Sequence, residues 1–203
     1  MAILLDKQGI TIAVMMAVLI VFFSTVNYLI LMLVFYALAL TVTKYEYRKK
    51  KEQGIYEHER SWENVLSNGL VPTMLAIASP YIGSGAFIGS VSAITADKFA
   101  SELGVFDKTP LSLETLKPVK PGTSGAVSIL GFVVSLAGGC MIGLAAMFIF
   151  DKTPNEAVLI AVMGLIGSMV DSIFGVLEEK KIGTKGTTNM ICSITGGLLG
   201  YFW

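Results

Sequence analysis

Long apolar stretches separated by short charged ones are the feature that most restricts how this chain can fold. The chain has 203 residues, of which 54% are hydrophobic and 15% are charged. A soluble domain of this size would carry more charge. A helix needs about 20 apolar residues to cross the core of a bilayer, and several stretches here reach that length. We therefore predict an all-α polytopic membrane helix bundle, with residues 1–203 forming a single integral membrane domain.

Turn signals divide the apolar stretches into about seven predicted transmembrane helices. The first stretch, residues 10–42, is too long for one crossing, and Ser24, Thr25 and Asn27 interrupt it with cap-forming side chains. We divide it there into two short helices and expect the second to continue past Lys44 as an amphipathic extension. Five further spans are predicted at about 62–79, 83–103, 124–150, 156–178 and 187–203.

The distribution of basic residues supports this count and predicts an orientation. With seven spans, the N-terminus and the segments 44–60, 104–123 and 179–186 share one side of the membrane. They hold thirteen of the fifteen Lys and Arg residues: Lys7, Lys44, Arg48, Lys49, Lys50, Lys51, Arg60, Lys108, Lys117, Lys120, Lys180, Lys181 and Lys185. The positive-inside rule then predicts a multi-pass protein of the cell membrane with a cytoplasmic N-terminus and active site. The net charge of zero gives no general attraction to nucleic acid.

Three acidic residues, Asp97, Glu102 and Asp171, lie inside or at the end of apolar segments. A carboxylate in hydrocarbon costs about 2.5 to 3.5 kcal/mol even on a lenient scale, so it is rare without a task or a partner. Mg²⁺ typically binds one or two carboxylates plus substrate phosphates. We predict that the three acids bind a divalent cation and that Asp97 and Asp171 are catalytic. The alternative is an ion pair between Lys98 and Glu102 at i, i+4, with Asp97 bonded to a neighbouring helix.

A glycine-containing loop with two lysines, residues 117–125, reads KPVKPGTSG. Its glycines let the backbone approach a ligand closely, and Thr123 or Ser124 can cap the next helix, whose N-terminus attracts anions. We predict that the loop binds nucleotide phosphates and that Lys117 is also catalytic. The predicted contacts are Lys117, Lys120, Gly122, Thr123, Ser124 and Gly125. The alternative is an ordinary juxtamembrane turn. It stays open because the loop lacks the phosphate-binding motif G-x-x-x-x-G-K-[ST].

Polar residues on three spans complete the predicted site. Ser168, Asp171 and Ser172 share one helix face, because they are spaced at i, i+3 and i+4. Asn68 belongs to a polar face of the third span, and Lys98 follows Asp97 directly. We predict that Ser168, Ser172, Asn68 and Lys98 contact nucleotide or phosphate. For the uncharged residues the alternative is hydrogen bonding between helices.

Four motifs in a fixed order carry a family resemblance. They are SWENVLSNG at 61–69, AD at 96–97 with SELG at 101–104, KP at 117–118 with PGTSGAVS at 121–128, and GS at 167–168 with DS at 171–172. Together they resemble the phytyl-phosphate kinase family of plants, which has archaeal, bacterial and animal relatives. The resemblance covers nearly the whole chain after the first spans. One position departs from it, because the family usually has Thr where this chain has Lys98.

The resemblance implies a CTP-dependent kinase that converts an isoprenyl monophosphate, of phytyl or geranylgeranyl type, to its diphosphate with Mg²⁺. The expected partners of the protein are that lipid, a nucleoside triphosphate and the bilayer, but no nucleic acid. Whether the protein forms a homo-oligomer stays open. Lys98 could replace one positive charge beside the metal, or alter the choice of nucleotide or substrate.

Two other functions remain open at this point. A CTP-dependent lipid cytidylyltransferase would use the same nucleotide and metal but release pyrophosphate. A transporter could use the intramembrane carboxylates. The glycine loop and the similar run GTKG at 183–186 lie on one predicted side of the membrane. This argues against a transporter, because a transporter needs access from both faces.

Overall fold

A computed structural model of the chain describes residues 6–52, 54 and 62–203. These residues form eight α-helices, a 3-10 turn at Gly104–Phe106 and one short β-ribbon, joined by connecting segments. The strands β1 (Leu111–Ser112) and β2 (Ala126–Val127) pair antiparallel. The prediction of an all-α membrane helix bundle is confirmed. The helices are α1 (Lys7–Phe23), α2 (Val26–Lys44), α3 (Tyr47–Glu52), α4 (Trp62–Ile82), α5 (Gly85–Leu103), α6 (Ile129–Ile149), α7 (Pro154–Glu179) and α8 (Lys185–Tyr201).

Seven of the described helices correspond one to one to the seven predicted spans, and α3 is the short eighth. The break between the first two falls at Ser24 and Thr25, which end α1 and precede α2. Among the described residues, α2, α4, α6 and α7 are long and apolar enough to cross a membrane, and α1 is a shorter apolar helix. The less apolar α5 runs through the middle of the bundle, where it contacts α2, α4, α6, α7 and α8.

Two predicted boundaries were wrong. The second span does not continue past Lys44: α2 ends there, Glu46 has a positive φ of 49°, and α3 is a separate helix. The span predicted from residue 124 begins at Ile129 instead, because residues 126–127 pair with β1 and Ser128 caps α6 by accepting a hydrogen bond from Gly131 N at 3.0 Å. Two residues used in the sequence analysis lie outside the described residues: Arg60, one of the basic residues that predict the orientation, and Ser61 of the first motif.

Contacts at the two ends of the bundle show that the helices alternate in direction. At one end, which we call the loop-rich face, the ion pairs Lys50–Glu102 and Lys180–Glu114 join segments far apart in the chain, each at 2.8 Å. At the other end, Asn27 Nδ2 donates to Ile149 O at 2.8 Å. The connections after α2, α5 and α7 therefore lie together at the loop-rich face. The start of α1 lies there too, because Trp62 N, at the start of α4, donates to Asp6 Oδ2 at 3.2 Å.

Close packing of α5 on α8 depends on glycine. Gly85 and Gly89 of α5 face Gly200 and Gly196 of α8, and a Cβ on any of the four would contact the backbone oxygen of the opposite glycine. In lipid, small residues at such positions allow helix backbones to approach closely. This contact fixes α8 against the helix that carries Asp97.

We predict that Gly89→Ala lowers the free energy of unfolding by about 1 to 3 kcal/mol, because the added methyl group meets backbone that cannot move aside cheaply. Gly186→Ala in α8 is the matched control, since the nearest atoms lie 3.6 Å from its ideal Cβ, and we expect it to be neutral or slightly stabilising. Unfolding by SDS in mixed micelles measures both. Equal stability of the two variants would contradict the packing described here.

Candidate functional site

A charged cavity of about 310 Å³ opens at the loop-rich face between α5, α7 and the segment 104–128. Its walls come from elements that are distant in sequence, so only the folded bundle creates it. Its charged lining residues are Lys50, Asp97, Lys98, Glu102, Asp171, Glu178 and Lys185. The predicted residues Gly122, Thr123, Ser124, Gly125, Ser168 and Ser172 also line it. The structure thus brings together residues from three of the four motifs, those at 96–104, 117–128 and 167–172.

Asp97 and Asp171 are the central pair of this charged cavity. Their side chains lie within hydrogen-bonding reach of one another, and the side chain of Thr188 is also beside Asp171. Asp171 Oδ1 is buried with no hydrogen-bond partner among the described residues, as is the hydroxyl oxygen of Ser135 in the same wall. Buried polar atoms are normally hydrogen-bonded. These two oxygens are therefore positions on the cavity wall where a bound ligand or water would supply the missing contacts.

The pair of carboxylates fits a divalent cation, but the predicted triad does not form. No group of three His, Cys, Asp or Glu side chains suited to a metal occurs in the described parts of the chain. Two carboxylates suffice for Mg²⁺ when substrate phosphates provide further oxygens. Glu102 was predicted as the third ligand, but its carboxylate binds Lys98 at 2.6 Å and Lys50 at 2.8 Å. We therefore leave Glu102 out of the ligand set, while metal binding by Asp97 and Asp171 stays a prediction.

Lys50 is a buried lysine that holds this part of the site together. Its side chain is 2% exposed, and Nζ donates to Val42 O and to Glu102 Oε2, each at 2.8 Å. The carbonyl group belongs to the last turn of α2, where a positive charge also interacts favourably with the helix dipole. Lys50 thus joins α2 and α3 to the end of α5. Through Glu102 it also orients Lys98 at the cavity.

The loop 121–125 packs directly on α7. Gly125 has a φ of +71°, and an ideal Cβ on Gly175 of α7 would lie 2.6 Å from Gly125 N. Both glycines are needed for this close approach. Ser124 N donates to Glu179 Oε1 at 3.0 Å, so this amide already binds an anionic oxygen from the protein. The loop reaches the cavity with its backbone, but neither Thr123 nor Ser124 caps α6 as predicted.

Three predicted residues lie away from the charged cavity. Lys117 and Lys120 are exposed and do not belong to its lining, so their phosphate-binding roles, and the catalytic role of Lys117, stay predictions. Asn68 lines a second cavity instead, and its side-chain amide donates to Asn64 O at 2.9 Å. Lys98 and Lys185 are the lysines that line both cavities.

The second cavity is an apolar groove of about 460 Å³ between α1, α2 and α4. Its walls are mostly aliphatic and aromatic side chains of those three helices. At the loop-rich face it reaches Asp97, Lys98, Ser101 and Lys185, which also line the charged cavity. The two cavities therefore meet at the same charged residues.

Comparison with known proteins identifies the family of the chain. Residues 2–196 match the family described as integral membrane protein DUF92. The chain belongs to this DUF92 family. An uncharacterized membrane protein of Methanocaldococcus jannaschii is 35% identical over 202 residues, covering 97% of this chain and 84% of the relative. No solved structure shows a significant match to the chain.

Two relatives of this DUF92 protein come from Arabidopsis thaliana. Protein PGR is 30% identical over 200 residues, covering 78% of this chain and 69% of the relative. Protein VTE6, chloroplastic, is 27% identical over 184 residues, covering 84% of this chain and 55% of the relative. These matches confirm the resemblance to the phytyl-phosphate kinase family that the four motifs indicated.

Three residues of the DUF92 site were missed as site residues by sequence reasoning. Glu178 follows Asp171 by seven residues and so shares its helix face, a signal that could have been used. Lys185 lies in the run Gly183-Thr184-Lys185-Gly186, which resembles the glycine loop. Lys50 gave no signal, because it is the middle one of three consecutive lysines and only the fold buries it.

We predict that Lys50→Met lowers the free energy of unfolding by about 2 kcal/mol, because Glu102 and the end of α2 each lose a charged hydrogen-bond partner. Lys49→Met is the matched control. The Lys49 side chain is 62% exposed, and its ion pair within the described residues is with Glu46, which directly precedes α3. Such surface pairs contribute little. Chemical unfolding in detergent micelles compares the two. A similar small effect for both variants would show that Lys50 does not anchor α3.

Proposed function

We propose that this DUF92 protein is a membrane-embedded kinase that transfers the γ-phosphoryl group of CTP to an isoprenyl monophosphate. The observation that carries the proposal is the meeting of Asp97 and Asp171 in a cavity with lysines and a glycine loop, where Asp171 Oδ1 has no partner among the described residues. The family resemblance supplies the choice of CTP and of an isoprenyl phosphate. The protein is an integral membrane protein, so the lipid acceptor can enter from the bilayer.

Charge neutralisation is the main chemical task in such a transfer, because nucleotide and acceptor both bring phosphate groups. Asp97 and Asp171 would hold a divalent cation, which supplies positive charge at the nucleotide phosphates when bound. Lys98 and Lys185 both lie within electrostatic range of Asp97 and line the cavity. They add positive charge where the acceptor phosphate and the γ-phosphoryl group would meet. The loop 121–125 offers backbone groups for the remainder of the nucleotide.

The reaction is balanced without a separate base. An oxygen of the lipid phosphate attacks the γ-phosphorus, and the bond between that phosphorus and the β–γ bridging oxygen breaks. The bridging oxygen keeps the electron pair, so CDP leaves and the lipid becomes a diphosphate. The acceptor is already an anion, so no side chain has to remove a proton. The protein contributes positioning and electrostatic stabilisation.

The orientation of the protein is part of the same proposal. The loop-rich face contains the charged cavity and the predicted excess of basic residues. The positive-inside rule therefore favours a cytoplasmic loop-rich face, where cellular nucleotides can reach the site. The C-terminus then lies on the opposite side.

We expect purified protein with Mg²⁺, γ-labelled CTP and geranylgeranyl monophosphate to form labelled lipid diphosphate and CDP. Asp97→Asn and Asp171→Asn should each lower turnover about a hundredfold or more, because each removes a charge that the transfer needs. Asp151→Asn is the control: it lies at the opposite end of the bundle with a φ of 53°, which Asn adopts readily. Release of pyrophosphate with a CDP-linked lipid would favour the cytidylyltransferase, and near-normal turnover of both Asn variants would remove the chemical basis of the proposal.

Cysteine labelling tests the proposed orientation. In a background that lacks Cys140 and Cys192, Thr115→Cys places a thiol on the loop-rich face, and Phe202→Cys places one at the opposite end, where Phe202 is 83% exposed. In intact cells, a membrane-impermeant maleimide should label position 202 and not position 115. Both positions should react after the membrane is opened. Labelling of position 115 alone in intact cells would reverse the orientation. Labelling of positions 115 and 202 together would place both on one side and contradict the seven membrane crossings.

A further inference from the structure

The apolar groove has the shape and lining of a site for a hydrocarbon chain. Along α1 its lining runs from Ile10 to Ile20, a length of about 15 Å at the rise of an α-helix. Met32 and Phe35 of α2 and Val65 of α4 contribute to the other walls. Apolar side chains at these positions favour an apolar guest over a polar one, because they offer van der Waals contacts and no hydrogen-bond partners.

The two ends of the groove differ. At the loop-rich face it reaches two lysines, Lys98 and Lys185, against one acid, Asp97, together with the polar residues Asn68 and Asn189. At the far end lies Ile20, which is 1% exposed and belongs to the hydrophobic core of the bundle. The groove is therefore open to an anionic group at one end and bounded by the core at the other.

We propose that this groove binds the tail of the acceptor lipid, and that Ala13 and Ala17 of α1 determine how long that tail can be. The charge at the open end selects the occupant, because a lipid whose tail fills the groove places its phosphate beside Lys98 and Lys185. Those lysines also line the charged cavity, so the phosphate meets the nucleotide there. That the bound phosphate then accepts a phosphoryl group rests on the proposed kinase function. Binding of the tail can be measured whether or not the protein is a kinase.

Ala13 and Ala17 are small residues on one face of α1, four positions apart, and both line the groove. Their Cα atoms are separated by about 6 Å along the helix axis, with Ala17 farther from the charged end. A larger side chain at Ala17 would fill the deep part of the groove, and one at Ala13 would fill the part nearer the lysines. The two positions therefore limit tail length at two different depths.

The test measures binding of geranyl, farnesyl and geranylgeranyl monophosphates to the purified full-length protein in detergent, without nucleotide. Wild-type protein should bind all three, and the longest most tightly. Ala17→Phe should weaken binding of geranylgeranyl monophosphate about tenfold or more, the scale expected when a side chain occupies space that the ligand needs. It should leave geranyl monophosphate unchanged. Ala13→Phe should weaken farnesyl monophosphate as well.

Val18→Phe is the matched control, because Val18 lies beside Ala17 on α1 but is 60% exposed and outside the groove lining. It should bind all three lipids as wild type does. If Ala17→Phe does not fold, Ala17→Leu fills the same space with fewer atoms and should show a smaller change in the same direction.

Three outcomes would overturn the groove assignment. They are equal weakening of all three lipids by Ala17→Phe, the same length dependence in Val18→Phe, and binding of phosphate-free geranylgeraniol as tight as that of its monophosphate. The last result would mean that the groove takes any membrane lipid. The product assay separates this inference from the kinase proposal. Length-dependent binding without diphosphate formation would support the groove and contradict the kinase. Diphosphate formation without length-dependent binding would support the kinase and contradict the groove.

Discussion

Two carboxyl groups placed side by side inside a membrane bundle are the constraint on which the rest of this structure depends. Isolated charges are costly in a bilayer, yet α5 and α7 carry Asp97 and Asp171 to the same cavity wall. The close contact of α5 with α8 also brings Thr188 and Lys185 beside them. Glycine makes this possible, because Gly85 and Gly89 allow α8 to approach without intervening side chains. The small-residue packing and the charged site are thus two parts of one arrangement.

The lysines divide into two groups by position. Lys50 is buried and holds Glu102 against the end of α2, which fixes the helices around the site. Lys185 lies at the start of α8 and faces both cavities, where a ligand can reach it. Lys98 belongs to both groups, since it pairs with Glu102 at 2.6 Å and also lines the two cavities. Glu102 is therefore better described as a residue that positions Lys98 than as a ligand of a metal ion.

The sequence was sufficient for the helices and for singling out Asp97 and Asp171, which the fold brings to one cavity, because apolar length and acids within apolar stretches are local signals. It was insufficient where contacts between segments distant in sequence determine where an element begins or which side chain is buried. The start of α6 was placed too early, since the pairing of β2 with β1 cannot be read from residues 124–128 alone. Lys117 and Lys120 were chosen for their closeness in sequence to the glycine loop; the fold leaves both exposed and outside the cavity lining, so their roles stay predictions. The burial of Lys50 depends on a partner fifty-two residues away.

Lys98 stands at the point where the two cavities meet, which gives physical meaning to its departure from the family pattern. A threonine there could donate a hydrogen bond but would bring no charge. The lysine brings an ammonium group that is already oriented by Glu102, which is in turn held by Lys50. Its charge therefore acts both on the charged cavity and on the mouth of the apolar groove. A substitution at this one position changes the electrostatics of both cavities together, because the geometry of the bundle makes them share Lys98.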